Sequence, residues 1–194
     1  MSNKNKIILR TIIVSIVVGM SWILLRMEFF SKIDMSNIHI SQGKEFDYYA
    51  RDFGVSMLLP STPTIDSEKV EKNGVPLVIT TVLSIGADSS KYQIITTKYP
   101  IGTFDSLDVN DLLQIASSAV IEGTNFKLVR SVDTSINSFP SIITKAVDDQ
   151  KIRSCIIIFN KNKTVMVVGD LHNSTQYANL LHYFSTLSMG HVSN

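Results

Sequence analysis

The pattern of apolar and polar positions divides this 194-residue chain into two unequal parts. Residues Ile7 to Leu25 form an apolar run that contains one charge, Arg10, and is followed directly by Arg26. As a helix these positions reach roughly 28 Å, close to the thickness of a bilayer hydrocarbon core. No comparable run follows. The pattern predicts a membrane anchor with a cytoplasmic tip over residues 1–32 and a polar linker over 33–43. A single α+β domain over 44–189 and a short tail over 190–194 complete the chain.

A cleaved signal would carry a shorter apolar core followed by small residues. Here Gly19-Met20-Ser21-Trp22 makes a poor cleavage site and Ile23 to Leu25 prolong the run, so a retained anchor is expected. Lys4, Lys6 and Arg10 precede it, against Arg26 and Lys32 after it. This bias places the N-terminus in the cytoplasm and the domain outside, which in a bacterium means an inner-membrane protein with a periplasmic domain. If Ser15, Gly19 and Ser21, spaced i, i+4 and i+6, line one face of the anchor helix, such small residues permit close packing with another span.

Beyond the linker the periodicity changes to that of strands. Lys44–Arg51 and Val55–Leu59 alternate around Asp52-Phe53-Gly54, and Pro60 and Pro63 end this first hairpin. Ile65–Lys72 and Val75–Ile85 flank Asn73-Gly74, a dipeptide suited to the positive φ of a tight hairpin turn. Tyr92–Tyr99 adds a strand that stops at Pro100. Val109, Leu112, Leu113, Ala116, Ala119 and Val120 then form a helical stripe, with Ser106 or Asp108 as cap and Gly123 as stop.

Strands resume at Phe126–Ile136, Pro140–Asp148, Lys151–Asn160 and Thr164–Leu171. The continuous run Ile156–Phe159 predicts a strand covered on both faces. A closing helix is expected from Asn173 or Ser174, with Gln176 placed for a capping box. Its stripe of Tyr177, Leu180, Leu181, Phe184 and Leu187 is expected to pack on the sheet. Strands, helix, strands, helix together predict an antiparallel sheet flanked by helices.

Phe53-Gly54-Val55-Ser56-Met57-Leu58-Leu59-Pro60, Phe139-Pro140-Ser141 and Tyr183-Phe184-Ser185-Thr186-Leu187 resemble segments of the family that joins PsbP, an extrinsic subunit of photosystem II, to a nuclear-import factor that binds the Ran GTPase. Bacterial exported proteins of the DcrB-like group are similar. The resemblance spans about residues 44–189 and implies an α/β/α sandwich. In place of the usual Gly-x-Pro before the later strand, this chain has Ser138-Phe139-Pro140. The family consists mainly of binding and assembly modules with no shared catalytic site, so the resemblance implies architecture and no functional residue.

Charge narrows the partners. Residues 1–32 hold five basic and one acidic side chain, and the remainder 13 basic and 16 acidic. A weakly acidic domain without a basic stripe argues against nucleic acid. One cysteine, Cys155, allows no internal disulfide.

Candidate chemistry is sparse. Asp52-Phe53-Gly54 spells a kinase triplet without the other kinase motifs and reads as a turn. Cys155 with His172 or His182 would make a nucleophilic pair, but its apolar strand setting points to a buried thiol. His39, His172, His182 and His191 are scattered without metal-ligand spacing, and Asp148-Asp149 reads as a turn. No catalytic, cofactor or metal residue is assigned, and no cofactor is expected. Tyr48, Tyr49, Tyr92 and Tyr99 lie in the early strands, where tyrosines more often fill a sheet face than a partner's pocket; a tyrosine-lined contact face is the second reading. These readings favour a membrane-anchored extracytoplasmic accessory protein that is not an enzyme, held in the membrane by residues 7–25, with a membrane or envelope protein as partner. The alternative is a small-molecule or lipid-binding module using a gap between sheet and closing helix near Phe184 and Ile157.

Overall fold

The computed structural model describes residues 44–72, 74–105, 107–122 and 124–190. The expected anchor and linker, with His39, Ser106, Gly123 and His191, lie outside the described residues. Among the described residues no helix is long and apolar enough to cross a membrane.

Among the described residues, ten strands and two α-helices build the domain. In chain order they are β1 (Phe46–Ala50), β2 (Val55–Leu59), β3 (Thr64–Lys72), β4 (Val75–Ile85) and β5 (Lys91–Lys98), then helix α1 (Val109–Ala119). There follow β6 (Lys127–Ile136), β7 (Phe139–Val147), β8 (Ile152–Asn160), β9 (Lys163–Leu171), helix α2 (Tyr177–Ser185) and β10 (Ser188–Met189). Seven strands form one antiparallel sheet in the order β3-β4-β5-β9-β8-β7-β6, and β1-β2-β10 form a second, small sheet.

The local signals act as the chemistry of their residues requires. Phe53 is buried at the turn between β1 and β2, and Gly54 takes the left-handed φ of 66° that closes it. Asp108 caps α1, its carboxylate accepting from Asn110 N at 2.7 Å. Asn173 Oδ1 accepts from Gln176 N at 3.2 Å while Gln176 Oε1 accepts from His172 N at 2.7 Å. This is the reciprocal arrangement of a capping box, displaced by one residue on the return bond, but it closes a 3-10 turn over Ser174–Gln176; the α-helix expected from Asn173 or Ser174 begins only at Tyr177, where Gln176 makes no side-chain cap bond.

Strand alternation divides the core between the two faces of the large sheet. On one face Leu112, Leu113 and Ala116 of α1 pack with Ile95, Ile157 and Val168. On the other, Leu180 of α2 and Val55 and Met57 of the small sheet pack with Ile94, Ile156 and Val167. Each fully buried aliphatic side chain contributes about 1.5–3 kcal/mol, and the run from Ile156 to Phe159 supplies both faces in alternation, as its composition predicts.

The closing helix departs from expectation. Of the five expected stripe residues, Leu187 is buried but lies beyond the helix, which ends at Ser185; within it Leu180 is buried, Tyr177 and Phe184 are partly covered, and Leu181 is 52% exposed. The stripe is wider than the surface the sheet offers it. Helix α2 crosses the middle of the sheet and leaves the β6–β7 edge beside it uncovered.

Candidate functional site

The uncovered region is a groove of about 690 Å³ between α2 and the β6–β7–β8 edge of the sheet. Its helix wall is formed by Tyr177, Leu181 and Phe184, and its floor by two adjacent cross-strand rows. In the first row Arg130 of β6 stands opposite Lys145 of β7, Lys145 opposite Ser154 of β8, and Ser154 opposite Gly169 of β9. In the second, Val132 faces Ile143, Ile143 faces Ile156, and Ile156 faces Val167. One row is cationic to polar and the next is wholly apolar.

The polar row holds an unmet demand. Ser154 is 5% exposed, and its hydroxyl has no hydrogen-bond partner among the described residues. Lys145 Nζ lies 4.5 Å from the centre of the Tyr177 ring, a cation–π contact between two groove-lining residues. Among the described residues that line the groove, none is acidic.

On the opposite side of α2 lies a second concavity of about 600 Å³, lined in part by Glu45, Asp88, Asn179 and Tyr183. Its polar groups largely satisfy one another. Gln176 Nε2 donates to Asp88 O at 2.6 Å, and Asn179 Nδ2 donates to Asp88 Oδ2 at 3.3 Å. Ser90 donates to Asp88 Oδ1 from both its backbone N and its hydroxyl. Partial burial works to raise the Asp88 pKa, but these hydrogen bonds outweigh it and hold the carboxyl below its ordinary value. The loop thus fastens the start of α2. Tyr92 lies beneath, edge-on to Tyr183 at 5.0 Å between ring centres, its hydroxyl buried without a partner among the described residues. Burial raises its pKa to about 12.

The residues singled out from sequence are dispersed. Cys155 is fully buried on the α1 face, where burial pushes its thiol well above the ordinary range. His172 and His182 are exposed; His182 Nε2 sits 3.3 Å from Glu45 Oε1 and neither approaches Cys155 through any hydrogen bond. Asp148 is a hairpin residue, accepting from Gln150 N at 2.7 Å. Among the described residues no group of three His, Cys, Asp or Glu is placed to hold a metal.

Strand register decides two of the sequence readings. The four tyrosines do not share a face: Tyr48 and Tyr92 are buried on the α2 side, Tyr99 is buried on the α1 side, and Tyr49 alone is exposed. Spacing along different strands does not fix which face a residue takes; register does. The gap near Phe184 is bounded by Ile156 and not by Ile157, because neighbours in a strand point to opposite faces. The Arg130–Lys145–Ser154 row was missed altogether, since it exists only once three strands are in register.

The chain matches no protein-family model and no curated protein. Among solved structures it is similar to cyanobacterial PsbP (CyanoP) from Synechocystis, with a TM-score of 0.52 and 13% sequence identity over 80% of this chain and 98% of that one. It also matches PA94 of Pseudomonas aeruginosa, a protein of unknown function, with a TM-score of 0.40 and 9% identity over 74% of this chain and 93% of that one. The fold is PsbP-like: a mostly antiparallel β-sheet domain with two helices.

Proposed function

We propose that this chain is a membrane-anchored accessory protein whose PsbP-like domain lies outside the cytoplasm and works by binding, without catalysis. Residues 7–25 supply the anchor, and the domain acts on components of the envelope. The observation that carries the binding reading is the groove beside α2. Val129, Val132, Ile143 and Leu181 line it and are all more than a third exposed, and contiguous exposed apolar surface marks a contact site. A tether raises the effective concentration of such a surface near a membrane partner.

Protein–protein contact in an envelope complex is the first reading of that surface. A second, a small-molecule or lipid-binding module, is favoured by the groove's depth and position: about 690 Å³ between a helix and a sheet falls within the range of small-ligand sites. The test is a mild-detergent pull-down of the full-length chain and of a Val132→Trp variant that fills the groove from its rim. Partners held by the first and lost from the second support the binding reading. Partners held equally by both place recognition elsewhere and remove the groove from the function.

A further inference from the structure

We propose that the groove between α2 and the β6–β7 edge binds a free single-chain fatty carboxylate, its head group on Arg130 and Lys145 and its chain along Val132, Ile143 and Ile156. The inference rests on the binding reading above and assigns it a ligand class.

The charge arrangement is the starting point. Arg130 and Lys145 are direct cross-strand partners on the same face, and like charges placed opposite one another destabilise a sheet. Among the described residues neither is paired with a carboxylate, and none of those lining the groove is an acid that could compensate them. An anion between the two side chains turns the repulsion into a pair of charge-assisted hydrogen bonds, and a planar carboxylate fits the arginine fork. Next in the same row stands the buried, unpartnered hydroxyl of Ser154, a donor placed one strand deeper than Lys145. Cation, cation and hydroxyl form a graded site for one small anionic head.

The adjoining row gives the rest of the ligand its character. Val132, Ile143 and Ile156 carry no polar side-chain atom, and Leu181 and Phe184 face them from α2. An occupant must therefore be anionic at one row and apolar at the next. The groove volume accommodates one acyl chain more readily than a two-chain lipid. A peptide added as a strand along β6 is disfavoured by the register shift between Leu128 and Arg130 and by the charges of Lys127 and Arg130, features that protect a sheet edge.

The experiment uses the full-length chain in phosphatidylcholine nanodiscs, photolabelled with a diazirine-bearing palmitate and mapped by peptide mass spectrometry. Adducts are expected on α2 and on β6–β7, chased by excess palmitate and not by methyl palmitate. Arg130→Gln/Lys145→Gln is expected to reduce groove labelling about tenfold or more, the size of a lost charge-assisted hydrogen bond, with the melting temperature unchanged or raised. Adducts confined to residues 7–25, equal chase by methyl palmitate, or equal chase by dipalmitoyl phosphatidic acid each overturn the proposal. Retention of protein partners by the double glutamine variant, combined with their loss in Val132→Trp and no palmitate labelling of the groove, sinks the fatty carboxylate while leaving the binding reading standing.

Discussion

Gly169 of β9 lies directly beneath Leu180 of α2, so close that a Cβ on the glycine would overlap Leu180 Cδ1. This contact sets the depth at which the closing helix sits. It fixes the helix on the middle of the sheet, with Leu180 1% exposed, and so leaves the groove at its side. Gly169→Ala forces the helix outward or Leu180 out of its rotamer, and overpacking of this kind costs about 1–3 kcal/mol. Urea unfolding should show a lower midpoint with an unchanged slope. Equal stability would mean that α2 is not seated by this glycine.

The hairpin between β6 and β7 carries two left-handed residues, Asn137 at φ 48° and Ser138 at φ 71°. Asparagine tolerates that region, whereas serine bears a steric cost of roughly 1–2 kcal/mol. Ser138 occupies the place where the family resemblance leads one to expect glycine. Ser138→Gly should therefore stabilise the domain by about 0.5–1 kcal/mol after the extra chain entropy of glycine is subtracted. Asn137 Oδ1 also accepts from Met189 N at 2.8 Å, tying β10 to this turn, so Asn137→Gly should lose most of any such gain. Thermal melts of the two variants side by side would decide it.

Arg153 of β8 and Asp170 of β9 form a bidentate pair, Nε to Oδ1 at 2.8 Å and Nη2 to Oδ2 at 2.9 Å. Burial alone would lower the guanidinium pKa, but the hydrogen bonds and charge of Asp170 raise it above its ordinary value. The same guanidinium reaches Val120 O beyond α1 and lies 4.4 Å over the Phe126 ring. It thereby fastens the α1–β6 connection to the sheet. Asp170→Asn leaves a largely buried cation with a weakened partner and should cost about 2–4 kcal/mol. The double variant Arg153→Met/Asp170→Leu should cost less than Asp170→Asn alone. A larger loss in the double variant would show that packing of the arginine, not its charge, holds this corner.

What could be read in advance follows from the range over which each signal acts. The Asp108 cap, the turn at Gly54 and the two-faced run at Ile156–Phe159 are written in neighbouring residues, and all three were legible. The small sheet was half legible: β1 and β2 form a local hairpin, but β10 has two residues, Ser188 and Met189, and exists only because the end of α2 returns to Val55. The stripe on α2 was visible, yet how much of it the sheet would cover depends on Gly169 meeting Leu180 across the chain. The groove lies where that coverage stops. Its polar row needs the registers of β6, β7, β8 and β9 at once, and no local pattern encodes those.

Alkaline pH should expose the buried acids of the core. Tyr92 and Tyr99 have pKa values pushed up to about 12, chiefly by burial, and burial raises the Cys155 thiol as well. For an acid whose folded pKa exceeds its unfolded one, the neutral form is favoured by folding. Its contribution is therefore complete below the unfolded pKa and is lost as pH rises toward the folded value. The window opens near pH 9 for the thiol and near pH 10 for the tyrosines. Stability should hold from pH 7 to about 9 and then fall by roughly 1.4 kcal/mol per pH unit for each group in its window. Tyr92→Phe removes one such group together with an unpartnered buried hydroxyl, so it should be neutral or stabilising at pH 7 and should flatten the decline above pH 10. Cys155 in the folded full-length chain should resist iodoacetamide up to pH 9 and react only as unfolding proceeds. Chemical denaturation across pH 7–11, with alkylation followed by mass spectrometry in the same samples, measures both. Rapid alkylation of the native chain at pH 8 would place the thiol at the surface and contradict the packing of β8 against α1.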